Sequence, residues 1–142
     1  MSDPFELQRF VDAQAPVYQR VIAELRQGQK QSHWIWFIFP QLAGLGHSPM
    51  ARRFALASRE EAAEYLNHGI LGPRLRDCTA LVNAAEGKTI REILGTPDDL
   101  KFCSSMTLFA AVSADPEFAT AIAKFCGGTL DRKTLQLLAG SR

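Results

Sequence analysis

The stretch Thr89-Ile90-Arg91-Glu92-Ile93-Leu94-Gly95-Thr96-Pro97-Asp98-Asp99-Leu100 decides the reading of the fold, because it holds two helix starts and one helix stop. Thr89 with Glu92 three residues on is a capping box, in which each side chain satisfies the other's backbone N–H. Gly95 follows the last apolar residue and suits the left-handed turn that ends a helix. Thr96-Pro97-Asp98-Asp99 then opens another helix at once. Proline in the first turn sacrifices no hydrogen bond, and the acids meet the positive end of the helix dipole. None of these signals needs a distant contact to act.

The same punctuation recurs along the chain. Asp3-Pro4-Phe5-Glu6 pairs an acceptor with proline and glutamate. Pro16 can open a helix whose face is Val17, Val21, Ile22 and Leu25. Ser58-Arg59-Glu60-Glu61 is a second box. Pro73 precedes a face of Leu75, Cys78, Thr79 and Val82. Asp115-Pro116 starts a helix that Gly127-Gly128 ends, and Asp131 can cap a last one, with Leu130 and Leu135 as a hydrophobic staple and Gly140 as its close. No alternating run leads into a hairpin turn. The two strand candidates are Trp34–Phe39 and Phe54–Ala57, and the first is better read as a short buried helix ending before Pro40. These features predict an all-α, single-domain compact bundle of about seven or eight short helices over residues 1–142, with at most a vestigial strand.

Composition narrows the function classes. The chain has 142 residues, 46% hydrophobic and 22% charged, with a net charge of +1. That balance gives no electrostatic case for nucleic acid or an acidic membrane. Arg52-Arg53, and Arg74 with Arg76, read as solvated surface charge. The apolar run from Trp34 to Phe39 is too short to span a bilayer, and the acidic N-terminus is not that of a signal peptide. Cys78, Cys103 and Cys126 are odd in number, lack C-x-x-C spacing and sit in apolar stretches. They read as buried reduced thiols of a cytoplasmic protein. His33, His47 and His68 lack metal-ligand spacing, so neither a metal nor a cofactor is expected. Gly44-Leu45-Gly46 has no nucleotide fingerprint. It is either a turn or, if a helix starts at Pro49, a loop that aims N–H groups at an anion. Oligomeric state is not legible.

Two segments carry candidate chemistry. In Lys30-Gln31-Ser32-His33-Trp34-Ile35-Trp36-Phe37-Ile38-Phe39-Pro40-Gln41-Leu42, both tryptophans are framed by polar groups. A cleft that stacks a flat ligand on indole needs that mixture. In the helix from Pro97, Ser104, Ser105 and Thr107 sit among apolar residues, where hydroxyls need partners. Either they bond back to their own helix, or Asp99, Lys101 and Ser105 face the aromatic segment across a cleft. The candidate catalytic residues are His33, as general acid or base, and Asp99. Candidate ligand contacts are Lys30, Trp34, Trp36, Gln41, Arg74, Lys101 and Ser105. His33 could instead simply pack on indole. The aromatic segment is expected to pack against the Pro97 helix, with Trp36→Ala costing roughly 3–5 kcal/mol as a buried aromatic.

The Lys30–Leu42 segment followed by Gly44-Leu45-Gly46 resembles the signature of a bacterial family, domain of unknown function 1810. So do Glu61-Ala62 with Tyr65-Leu66, Leu71-Gly72-Pro73-Arg74-Leu75, Asp99-Leu100-Lys101 with Ser104 to Phe109, and Asp131-Arg132-Lys133-Thr134-Leu135. The resemblance runs through nearly the whole chain in one order. It departs at His68-Gly69, where the family usually reads His-Pro. It implies a small, mainly helical protein and carries no established activity. The label calpastatin that some members bear does not fit a globular composition. A more distant likeness, to the helical NADAR superfamily, implies ADP-ribose or related N-glycoside chemistry.

The expected function is therefore binding or processing of a nucleotide-like ligand, ADP-ribose or a related N-glycoside, in a cleft lined by tryptophan and histidine. If the chemistry is glycosidic, Asp99 or Glu61 would serve as its carboxylate. The alternative is a protein-interaction module without catalysis, its Trp-rich segment forming a core or a hot spot.

Overall fold

The computed structural model describes residues 3–140, so the first and last two residues of the expected domain lie outside it. Its elements are α1 (Gln8–Gln14), α2 (Tyr18–Gln27), α3 (Ile35–Ile38), α4 (Pro49–Arg53), α5 (Arg59–Asn67), α6 (Leu71–Asn83), α7 (Ile90–Leu94), α8 (Asp98–Val112), α9 (Pro116–Phe125) and α10 (Arg132–Ala139). The chain is a compact all-α bundle in one domain. The vestigial strand is a single parallel bridge between Leu42 and Leu56.

Most helix starts lie where local chemistry puts them. Thr89 and Glu92 form the full capping box, and Gly95 ends α7 with φ of 79°. Ser58 Oγ accepts from the Glu61 N–H, and Asp131 accepts from the Thr134 N–H. The described residues form ten helices, against about seven or eight expected. The chain after Gly46 does enter a helix, because Ser48 caps α4 through the Ala51 N–H.

Two starts are displaced. The Asp3 carboxylate accepts from the N–H groups of Leu7 and Gln8, so α1 begins a turn later than its capping residue. α6 begins at Leu71, ahead of Pro73, and His68 Nδ1 accepts from the Ile70 and Leu71 N–H groups in front of it. Pro73 is tolerated there because the first-turn N–H groups of a helix have no partner inside it. Gly72 sits where a Cβ would meet the Leu66 carbonyl oxygen at 2.1 Å, so α5 and α6 could not join this closely around a larger residue.

The core is built on α8, which packs against α3, α5, α7, α9 and α10. A helix surrounded in this way is apolar on most sides rather than along one stripe. Phe102, Met106, Leu108 and Phe109 of α8 are all buried. Aromatic rings link the layers: Phe39 meets Phe102 edge-on at 4.9 Å, and Tyr65 and Phe118 lie 5.6 and 5.7 Å from Phe109. The aromatic segment thus packs on α8 as its sequence implies. Its two indoles do not share the burial equally. Trp34 is 1% exposed, whereas Trp36 is only half-buried. The expected large cost of removing Trp36 therefore belongs to Trp34.

The cysteines correct another expectation. Cys78 is free and buried, and burial pushes its thiol up to about 12. Cys103 and Cys126 form a disulfide, with Cα atoms 5.9 Å apart, that ties α8 to the end of α9. Sequence spacing hid the pair because the tertiary fold, not a local motif, brings the two together.

Two stability measurements follow from this core. Trp34→Ala should lower the free energy of unfolding by about 3–5 kcal/mol and Trp36→Ala by clearly less, read from urea midpoints at constant slope. The disulfide closes a loop over a sequence separation of 23 residues, so Cys126→Ser should cost about 3 kcal/mol. Dithiothreitol should destabilise the wild type similarly and the variant no further.

Candidate functional site

Glu24, on the last turn of α2, is the polar group around which the aromatic segment is arranged. It is only 7% exposed, yet it accepts four hydrogen bonds: from the Gln31 and Ser32 N–H groups at 2.8 and 3.1 Å, from Ser32 Oγ at 2.6 Å and from Trp34 Nε1 at 2.9 Å. Burial alone would raise its pKa. The donors from Ser32, Gln31 and Trp34 outweigh that effect and hold the carboxyl at about 2. One carboxylate thereby fixes the chain entering α3 and the plane of the buried indole.

A second array lies beside it. Lys30 forms an ion pair with Asp98 at 2.9 Å, and both side chains are largely buried. Asp98 also approaches Lys101 at 3.7 Å. Each lysine sits over one indole: Lys30 Nζ is 5.1 Å from the Trp34 ring centre and Lys101 Nζ is 5.3 Å from that of Trp36. Such ammonium–indole contacts are attractive through the ring quadrupole. Asp98, read from sequence as an ordinary first-turn charge, thus joins two lysine–tryptophan pairs.

Lys101 opens onto a groove of about 220 Å³. Gln41 and Gly46 form one side of it, Lys101 and Ser104 the α8 side, and Asp131 and Lys133 the start of α10. The negative charge of Asp131 is engaged in capping, since Oδ2 accepts from the Thr134 N–H and hydroxyl. The two lysines leave the groove cationic.

The structure brings together only part of the expected set. Gln41 and Lys101 line this groove, and Trp36 stands behind it with its ring under the Lys101 ammonium. Ser105, one turn beyond Lys101 on α8, is fully buried, and its Oγ has no hydrogen-bond partner; the same holds for Trp36 Nε1. Ser104 and Thr107 instead bond back to the carbonyls of Leu100 and Cys103. Trp34 and Lys30 are held in the packing just described. His33 is exposed, outside the groove lining. Asp99, two residues from Lys101, points around the other side of α8 and lines a different groove, as helical geometry requires. Arg74 stacks over Tyr18 at 4.5 Å and donates to Gln14 Oε1. Glu61 is sealed in a pair with Arg9 and accepts from the Ala57 N–H.

Sequence reasoning passed over Glu24 and Gln14. Gln14 is 1% exposed and donates to the Phe37 carbonyl and the Tyr65 hydroxyl. A polar residue on the apolar side of each predicted helix was the available signal. No group of three or more His, Cys, Asp or Glu among the described residues is placed to hold a metal, and no described helix is long and apolar enough to cross a membrane.

Fold and groove define a small single-domain all-α protein with a cationic recess beside a buried aromatic segment. The chain belongs to the family described as protein of unknown function (DUF1810), whose profile matches residues 4–138. Its structure is similar to the crystal structure of the conserved hypothetical protein Rv1873 from Mycobacterium tuberculosis, with 59% sequence identity and a TM-score of 0.95 over 96% of this chain and 99% of that one. No curated protein matches it.

The environment of Glu24 sets an acid limit on stability. Its folded pKa near 2 lies below its ordinary value of 4.5. The stabilisation, about 3 kcal/mol for a shift of this size, is complete above about pH 5 and is lost as pH falls toward 2. Glu24→Gln should remove most of it at neutral pH and flatten the acid limb of a stability–pH profile followed by tryptophan fluorescence. An unchanged acid limb would show that Glu24 does not carry this dependence.

Proposed function

We propose that the protein binds a nucleotide-like anionic ligand, of the ADP-ribose class, with its phosphate in the groove between Gln41, Lys101 and Lys133. The observation that carries this reading is that two lysines from separate helices, Lys101 of α8 and Lys133 of α10, line one recess. Lys101 is already oriented by Asp98 and the Trp36 face, so little side-chain freedom remains to be lost on binding. Gln41 adds a side chain that both donates and accepts. The alternative, a protein-interaction module that uses the Trp-rich segment as a hot spot, has less support because Trp34 and most of its neighbours are buried. We place the function in the cytoplasm, where such ligands occur, although the Cys103–Cys126 disulfide is uncommon in that reducing compartment.

Isothermal titration and thermal shift with ADP-ribose, NAD and inorganic pyrophosphate test this reading. Binding should raise the melting temperature, because only the native state binds. Lys101→Met should weaken binding about tenfold or more, the usual weight of a charge-assisted hydrogen bond. No heat and no shift at millimolar ligand would overturn the proposal. Equal binding by wild type and Lys101→Met would move the site elsewhere.

A further inference from the structure

A groove of about 220 Å³ is smaller than the roughly 300–1,000 Å³ that encloses a whole organic ligand. It can take a phosphate or a ribose phosphate and little more. A second groove, of about 540 Å³, lies on the other side of Leu100. Leu100 and Asp131 line both grooves, so the two are continuous across the exposed Leu100 side chain, which is 66% exposed. The walls of the larger groove are mainly apolar, formed by Ile90, Phe125, Leu130 and the Cys103–Cys126 bridge.

Resting on the proposed phosphate groove, we infer that this larger groove is a base subsite, taking the heteroaromatic base of the same ligand, and that Asp99 accepts a hydrogen bond from the base's exocyclic amine. Three observations support the assignment. The apolar walls and half-buried Phe125 offer a surface that suits a flat ring. The cationic and apolar halves lie in the order that a nucleotide presents its phosphate and its base. Asp99 also lines this groove: its Oδ1 is sealed from solvent without a partner, which leaves Oδ2 as the acceptor open to the groove. An ionised carboxylate only accepts, so its complement is an N–H donor. A base carrying an amino group supplies that donor, and a base with hydrogen in its place does not.

The loop from Cys126 to Asp131 forms the far wall of this subsite. It is anchored at Cys126 by the disulfide, at Gly128 by its N–H to the Ile122 carbonyl, and at Asp131 by its N–H to Thr107 Oγ1. A wall held at three points keeps the ring-binding face formed before the ligand arrives, which limits the ordering cost of binding.

The test compares three probes by isothermal titration: ribose 5-phosphate, AMP and purine riboside 5′-phosphate, which lacks the exocyclic amine. On the wild type, AMP should bind at least tenfold tighter than ribose 5-phosphate and about tenfold tighter than the purine riboside analogue. Leu130→Gln, an uncharged change at an exposed wall position, should reduce the advantage of AMP while leaving ribose 5-phosphate affinity unchanged. Asp99→Leu should make AMP and the analogue equal. Should either variant fold poorly, amide chemical shifts of wild-type Thr129 and Leu130 should move with AMP and stay still with ribose 5-phosphate. Equal affinities for AMP and ribose 5-phosphate, or still amides, would overturn the base subsite while leaving the phosphate groove intact. An AMP preference undiminished in Asp99→Leu would overturn the role of Asp99. Failure of all three probes to bind the wild type would overturn the phosphate groove and the base subsite together.

Discussion

The Glu24 carboxylate is the constraint on which the aromatic half of the molecule depends. A buried charge is costly unless each oxygen finds donors. Here two backbone N–H groups, one hydroxyl and one indole N–H all converge on it. Satisfying that one group dictates how the chain leaves α2, how it turns through Gln31 and Ser32, and which face of Trp34 meets the core. With Trp34 fixed, Lys30 lies over its ring and reaches Asp98 at the first turn of α8. The geometry of the groove around Lys101 therefore starts from an acid on α2.

The helical architecture was legible because its signals are short-range. The Thr89–Glu92 box, the Gly95 stop and the Asp131 cap involve partners no more than four residues apart, and each acts as its chemistry requires. The displaced starts of α1 and α6 involve local features too, but competing ones. In α1 the backbone at Glu6 takes a positive φ of 53°, so the carboxylate of Asp3 serves N–H groups further along. In α6 the ring of His68 takes a capping role that is rarely read from histidine.

The site was legible only by residue type. The aromatic segment and the early part of α8 do meet, and Trp36, Gln41 and Lys101 do gather. What failed to show was which side chain the core would claim. Trp34, at the N-cap of the one-turn α3, and Trp36 inside it are two residues apart, so they face different neighbours, and only the fold decides which indole is sealed. Gln14 looked like surface because its partners, Phe37 and Tyr65, are 23 and 51 residues away. Cys103 and Cys126 looked like separate core thiols for the same reason.

The first turns of α8 show how one helix can serve two recesses of opposite character. Asp99 and Cys103 lie one turn apart and line the larger groove, while Lys101 and Ser104 face the smaller one. Leu100 stands between them and lines both. A helix turns by about a hundred degrees per residue, so three consecutive side chains are enough to put an acid, an apolar ridge and a base on successive faces. Deeper in α8, all faces are claimed by the aromatic core, and no such division is possible. The opening turns, where the helix emerges from the bundle beside α10 and the Gly46 loop, are thus where this fold combines rigid support with exposed polar side chains.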